Sequence, residues 1–344
     1  QSDFLIEMAE IGVIILMFSA GLETDLKDLM KTGPIAALIA CAGVFIPLIL
    51  GALLYMAFYG AAPWGSEGFY KAVFVGTILT ATSVSITVEA LKEMGKLKGK
   101  VGTTILSAAI IDDVIGIIVL TFVMGFKSPD SNPASVVVNT VLFFIFAIVV
   151  GFVCFKIFKF VDNKYPHTRR IPIAGLALCL AMAYIAEKYF GIADITGAYV
   201  AGIILCSIRD SEYIASKMDT NSYILFGPVF FASIGLKTNL ESLNVSILIF
   251  SIAFVAVGLI SKIIGCSLMA RICKFNMSDS LKIGVGMMTR GEVALIVSQK
   301  GLSVGLLTPV YFTSVILLII VSSIATPIIL KLLYAKDDKK IGMA

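Results

Sequence analysis

Apolar runs of bilayer-spanning length recur along almost the whole of this chain, and few folds can absorb so much hydrocarbon surface. Eleven are read, at about 4–22, 33–59, 69–91, 101–125, 134–160, 171–189, 195–208, 219–236, 243–270, 281–299 and 306–334. Runs of this length suit membrane helices, whereas a transmembrane barrel shows alternating segments of about ten residues. Charged residues make up 15% of the chain, against about 25% in an average soluble domain. The expected fold class is therefore an all-α polytopic membrane protein. Segment seven, at 195–208, is short for a span and is the weakest member of the series.

The loops carry their own signal. Those after odd-numbered segments hold 20 of the 27 Lys and Arg residues, and those after even-numbered segments hold five: Lys71, Lys127, Lys188, Lys237 and Lys300. Cationic loops stay in the cytoplasm. The asymmetry predicts a multi-pass protein of the cytoplasmic membrane with residue 1 outside and the C-terminus inside. It also accounts for the net charge of +4 without any nucleic acid partner. The partner it implies is the lipid bilayer. Cys41, Cys154, Cys179, Cys206, Cys266 and Cys273 show no CxxC or Cys/His spacing and are expected as free thiols, with no metal or cofactor. The chain begins at Gln1 without Met and without a signal peptide, which leaves room for further helices upstream.

Against this background a few charges stand out. Segment four carries Asp112 and Asp113 in the middle of an apolar run. A carboxylate in hydrocarbon costs roughly 2.5–3.5 kcal/mol on insertion scales and marks a functional site by default. Neighbours on a helix project about 100° apart, so the two acids face different partners. Lys262 lies in mid-segment nine, too deep to reach an interface easily. A buried ammonium either pairs with a carboxylate or loses its proton. Arg290 and Glu292 lie inside segment ten, where a structural and a functional reading are equally open.

The sequence also repeats itself. Phe18–Leu26 closes segment one and Ala232–Leu240 closes segment eight, with Gly, Leu, Thr and Leu coinciding. The copies are seven spans apart, and an odd offset means opposite orientation. Inverted repeats place a binding site near the midplane between them. The repeat pairs segment three with segment ten. The first contains the hydroxyl cluster Thr80, Thr82, Ser83 and Ser85; the second contains Gly284, Gly286 and Met287–Glu292. Both compositions weaken helices. Two broken helices meeting at membrane depth would present carbonyls and helix ends to an ion.

The chemistry is bounded by what the chain lacks. There is no nucleophile–base constellation, and the single histidine, His167, sits in a basic loop. Nothing matches GxxxxGK[ST], so ATP does not drive this chain alone. The pattern predicts no enzyme. Midplane carboxylates with hydroxyls, carbonyls and a titratable lysine suit a small hard cation exchanged for protons.

These residues resemble the monovalent cation:proton antiporters, in the branch of NapA-type sodium/proton exchangers and Kef-type potassium efflux proteins. The resemblance rests on Leu22–Asp25, Thr80–Ser83, Asp112-Asp113, Gly197–Gly202, Phe230-Phe231 with Gly235-Leu236, Lys262, and Arg290–Glu292. It implies an inverted-repeat transporter of the NhaA/NapA kind with two broken, crossing helices. It also implies a transport core at about 33–125 and 243–334 and a dimerisation panel at about 1–32 and 126–242. Asp113 would bind Na⁺ or the proton, Asp112 would pair with Lys262, and Thr82 and Ser83 would assist at the crossing. Arg290, Glu292 and Thr80 would support the broken helices. Family members work by an elevator-like motion of the core, usually as homodimers, and those with two aspartates are electrogenic.

Against the family's pattern the chain is expected to lack helices at its N-terminal end. Kef-type proteins replace one of the two aspartates and carry a C-terminal nucleotide-binding domain. Asp112-Asp113 and an end at Ala344 favour exchange of Na⁺ or Li⁺ for H⁺. The alternatives are a K⁺/H⁺ antiporter of the same fold, then an organic-anion symporter or a cation channel.

Overall fold

A computed structural model describes residues 2–24, 33–125, 133–165, 167–226, 228–229, 232 and 245–341. The described chain is helical: α1 (Ser2–Leu22), α2 (Gly33–Tyr59), α3 (Glu67–Ile78), α4 (Val84–Glu93), α5 (Lys100–Gly125), α6 (Pro133–Lys164), α7 (Arg170–Phe190), α8 (Asp194–Leu205), α9 (Ser211–Asn221), α10 (Val245–Ile272), α11 (Met277–Gly286), α12 (Glu292–Ser303) and α13 (Pro309–Ile341). Among the described residues six helices are long and apolar enough to cross a membrane, namely α2, α5, α6, α7, α10 and α13. In segment eight, residues 227, 230, 231 and 233–236 lie outside the described residues, as do Asp25 and Leu26 of the first repeat copy and all of the second copy after Ala232. Segment seven is the twelve-residue α8.

Segments three and ten are each two helices. α3 starts on Ser66, whose hydroxyl accepts from Phe69 N, and stops at Leu79, whose N–H turns back to Gly76 O. α11 starts on Asn276, whose side chain accepts from Asp279 N, and stops at Met287. The interruptions cover 79–83 and 287–291. The expected hydroxyl cluster supplies the first break. In the second, Gly284 and Gly286 remain inside α11, and the chain leaves the helix only after them.

The chain divides into two compact units. One comprises Gln1–Lys27 and Thr121–Lys237; the other comprises Asp28–Leu120 and Thr238–Ala344. In the first unit α8 packs against α1 and α7. The α1–α8 seam is built on small residues: a Cβ on Gly202 would overlap the Phe18 carbonyl, and one on Gly21 would overlap the Tyr199 carbonyl. Lipid gives no hydrophobic drive between helices, so close backbone approach supplies the packing. In the second unit α10 packs against α2, α11 and α13, and α3 against α2. A core of Ile39, Ala108, Ala109 and Ile283, among others, takes in the second break through Met287 and Met288.

Gly202→Ala is expected to cost about 1–3 kcal/mol by overpacking. It should lower the melting temperature of the purified protein in detergent. An unchanged melting curve would show that the seam can relax.

Candidate functional site

The two interruptions cross one another within the second unit. Ser83 N donates to Thr289 O at 2.9 Å, a backbone bond joining one break to the other. The Thr87 hydroxyl donates to Gly286 O at 2.8 Å and lies 3.0 Å from the Thr289 hydroxyl, which in turn donates to Thr326 Oγ1 at 2.9 Å. Gly291 abuts Ser83, whose Cβ and Oγ would each lie 2.6 Å from an added Cβ.

Helices that stop leave carbonyls without partners, and two buried cations answer them here. Arg290 is fully buried. One of its terminal nitrogens donates to Leu79 O at 2.7 Å and Gly258 O at 3.2 Å; the other donates to Met288 O at 3.1 Å and Met287 O at 3.5 Å. Its backbone N–H donates to Ser322 Oγ at 3.0 Å. One guanidinium thus serves the C-terminal ends of both α3 and α11, where the helix dipole favours positive charge. Lys262, also fully buried, donates to Thr80 O at 3.0 Å and to Asp112 Oδ1 at 2.7 Å. The Thr82 hydroxyl donates to the second Asp112 oxygen at 2.6 Å.

Asp112 therefore has both oxygens engaged and is 1% exposed, as a buried carboxylate must be if it is to stay charged. Asp113, one position on along α5, is partly accessible. The Thr80 hydroxyl turns back to Thr77 O at 2.8 Å. The side chain of Glu292 lies outside the described residues. The structure thus gathers Thr80, Thr82, Ser83, Asp112, Lys262 and Arg290 at one crossing. Among the described residues no group of three His, Cys, Asp or Glu side chains could hold a metal.

Several members escape a linear reading. Thr87, Ser322 and Thr326 belong to the polar chain, although each alone is an ordinary hydroxyl in an apolar helix. Their four-residue spacings, Ser83 to Thr87 and Ser322 to Thr326, were the available signal. Gly43 on α2 had none. A Cβ there would come within 2.9 Å of Cys266 Sγ, 3.2 Å of Asp112 Oδ1 and 3.4 Å of Lys262 Cε. The ion pair sits where it does because α2 presents bare backbone to it.

Two interrupted helices crossing around a buried ion pair, in a chain of membrane-spanning helices, are the architecture of a secondary-active ion transporter. The comparisons agree. The model of the transmembrane sodium/hydrogen exchanger family matches residues 1–336, and the chain belongs to that family of cation/proton antiporters. It is 36% identical over 340 residues to the Na(+)/H(+)-K(+) antiporter GerN of Bacillus cereus, covering 98% of this chain and 86% of the relative. It is 34% identical over 331 residues to a Na(+)/H(+) antiporter of Enterococcus hirae, covering 94% and 84%. The fold is similar to that of the sodium proton antiporter MjNhaP1 from Methanocaldococcus jannaschii, with a TM-score of 0.69, 18% identity and coverage of 97% of this chain and 86% of that one.

Two stability predictions follow from the geometry. Asp112→Asn leaves the Lys262 ammonium buried without its carboxylate and is expected to cost about 3–5 kcal/mol. Asp112→Asn with Lys262→Met should cost less than the single change, as measured by unfolding of the purified protein. Gly43→Ala should lower the melting temperature, and adding Cys266→Ala should recover part of the loss by removing the nearest obstruction.

Proposed function

We propose that this protein is a sodium/proton exchanger of the NapA-like branch, moving Na⁺ or Li⁺ against H⁺ across the cytoplasmic membrane. The observation that carries the reading is the Asp112–Lys262 pair buried at the helix crossing, with the partly accessible Asp113 beside it on the same helix. Asp113 is the group we assign to the cargo. A carboxylate there holds either a dehydrated alkali ion or a proton, so the two exclude each other. Thr82 and Ser83 line the crossing and offer hydroxyl oxygens to a small hard cation. Thr80, Arg290 and Glu292 hold the broken helices in place.

An electrogenic cycle needs more than Asp113. Asp112, Asp113, Lys262 and Arg290 sum to zero when all are ionised. Swapping one cation for one proton on Asp113 then moves no net charge. A second proton must travel for the cycle to be electrogenic, and the Lys262–Asp112 pair is the group suited to release it. In this scheme an arriving cation draws Asp112 away from Lys262, and the unpaired ammonium gives its proton to water on the open side.

Alternating access by an elevator-like motion fits the placement of the site. Every residue assigned to it falls in the unit of Asp28–Leu120 and Thr238–Ala344, so a cargo could ride with that unit as a body. The other unit would then be the panel through which two copies form a homodimer. The loop charges support an orientation with residue 1 outside and the C-terminus in the cytoplasm. Exchange of K⁺ is the second reading, favoured by the name of the Bacillus relative, a Na(+)/H(+)-K(+) antiporter.

In proteoliposomes with an imposed pH gradient and clamped voltage, Na⁺, Li⁺ or K⁺ is added in turn. Asp113→Asn should fold yet lose cation-dependent proton movement. Lys262→Gln should keep exchange but bring the charge moved per cycle toward zero. Retained exchange in Asp113→Asn would remove the proposed cargo site. Unchanged charge movement in Lys262→Gln would remove the lysine from coupling.

A further inference from the structure

The first unit carries a groove that the exchange cycle does not use. It lies between α6 and α8 and encloses about 450 Å³. Ile148, Phe152 and Phe155 line it from α6, and Val200, Ile204 and Ser207 line it from α8. Gly151 sets its floor, since a Cβ there would come within 2.9 Å of Ile204. The walls are apolar nearly throughout. The polar exception, Ser207, lies past the C-terminal end of α8.

Two cations stand at that same end. Lys156 is exposed, and its ammonium lies 4.4 Å from the ring centre of Phe152; Lys159 is exposed, and its ammonium lies 5.6 Å from the ring centre of Phe155. Both rings are groove walls, so both side chains lean back along α6 toward the slot. The ends of the two helices are level there, because Asp162 on α6 accepts from Arg209 N just beyond α8 at 2.9 Å. The result is an apolar slot of acyl-chain character with two ammonium groups and a hydroxyl at one mouth.

We propose that this groove binds one phospholipid with an anionic headgroup, its acyl chain along α6 and its phosphate between Lys156, Lys159 and Ser207. A zwitterionic lipid fills the slot equally well but gains less from the cations. Charge complementarity therefore selects the headgroup while the groove accepts the tail. The site is distinct from the ion crossing, which lies in the other unit.

Fluorescence quenching tests this. The only tryptophan, Trp64, is replaced by Phe, and Phe152→Trp places a reporter on the groove wall that keeps an aromatic ring under Lys156. The protein is reconstituted in phosphatidylcholine vesicles containing either brominated phosphatidylglycerol or brominated phosphatidylcholine. A cation beside an anionic lipid favours it by about fivefold. The anionic lipid should therefore quench Phe152→Trp with at least that preference. The preference should fall to parity when Lys156→Gln and Lys159→Gln are added. A reporter at Ile252→Trp, on an exposed face of α10, should show no preference. Equal quenching by the two lipids at Phe152→Trp would overturn the proposal. So would a preference that survives loss of both lysines, or protection from both lipids, which would mean that a second copy or another segment fills the groove.

Discussion

Two helices that end at membrane depth leave carbonyls that no water reaches, and everything at the site follows from how those carbonyls are answered. In hydrocarbon each unsatisfied backbone group costs several kcal/mol. Arg290 meets the problem with one flat guanidinium whose hydrogens reach carbonyls of α3, α11 and α10 together. A lysine could not do so, because its three hydrogens radiate from one atom. Lys262 takes the next carbonyl along, at Thr80, and this fixes its ammonium where Asp112 can meet it.

The second consequence is electrostatic. Satisfying helix ends with cations puts two positive charges in a dry interior, and those charges make a buried Asp112 tolerable. The carboxylate in turn is held on both oxygens, by Lys262 and by Thr82 from the first break. Backbone interruption, cation and anion therefore stabilise one another. Removing any one exposes the desolvation cost of the rest, which is how a buried network differs from a set of independent contacts. Asp113 stands beside this network on the same helix, partly accessible where Asp112 is sealed.

The third consequence concerns packing. Both units bring helices together through backbone that lacks side chains: Gly21 and Gly202 in one, Gly43 in the other. At Gly43 the missing methyl leaves room for an ion pair as well as for a helix. The hydroxyl chain Thr87, Thr289, Thr326 links α4, the second break and α13 through the same dry interior. Each hydroxyl has one hydrogen to give: Thr87 donates to Gly286 O, Thr289 to Thr326 Oγ1 and Thr326 to Ser322 O, so the chain is tied to backbone at both ends.

The amino-acid order by itself determined that the chain is a bundle of membrane helices, since hydropathy acts locally and needs no partner. It also singled out Asp112, Asp113, Lys262 and Arg290, because a charge in an apolar run is costly wherever the run ends up. It located both interruptions to within a few residues, from hydroxyls in one case and from the Gly284–Glu292 stretch in the other. Only the tertiary structure decided which partners those groups take. The carbonyls of Leu79 and Gly258 and the bare backbone at Gly43 carry no mark in the sequence. A carbonyl belongs to every residue, and what distinguishes these is that the fold strips them of water and brings a cation within reach.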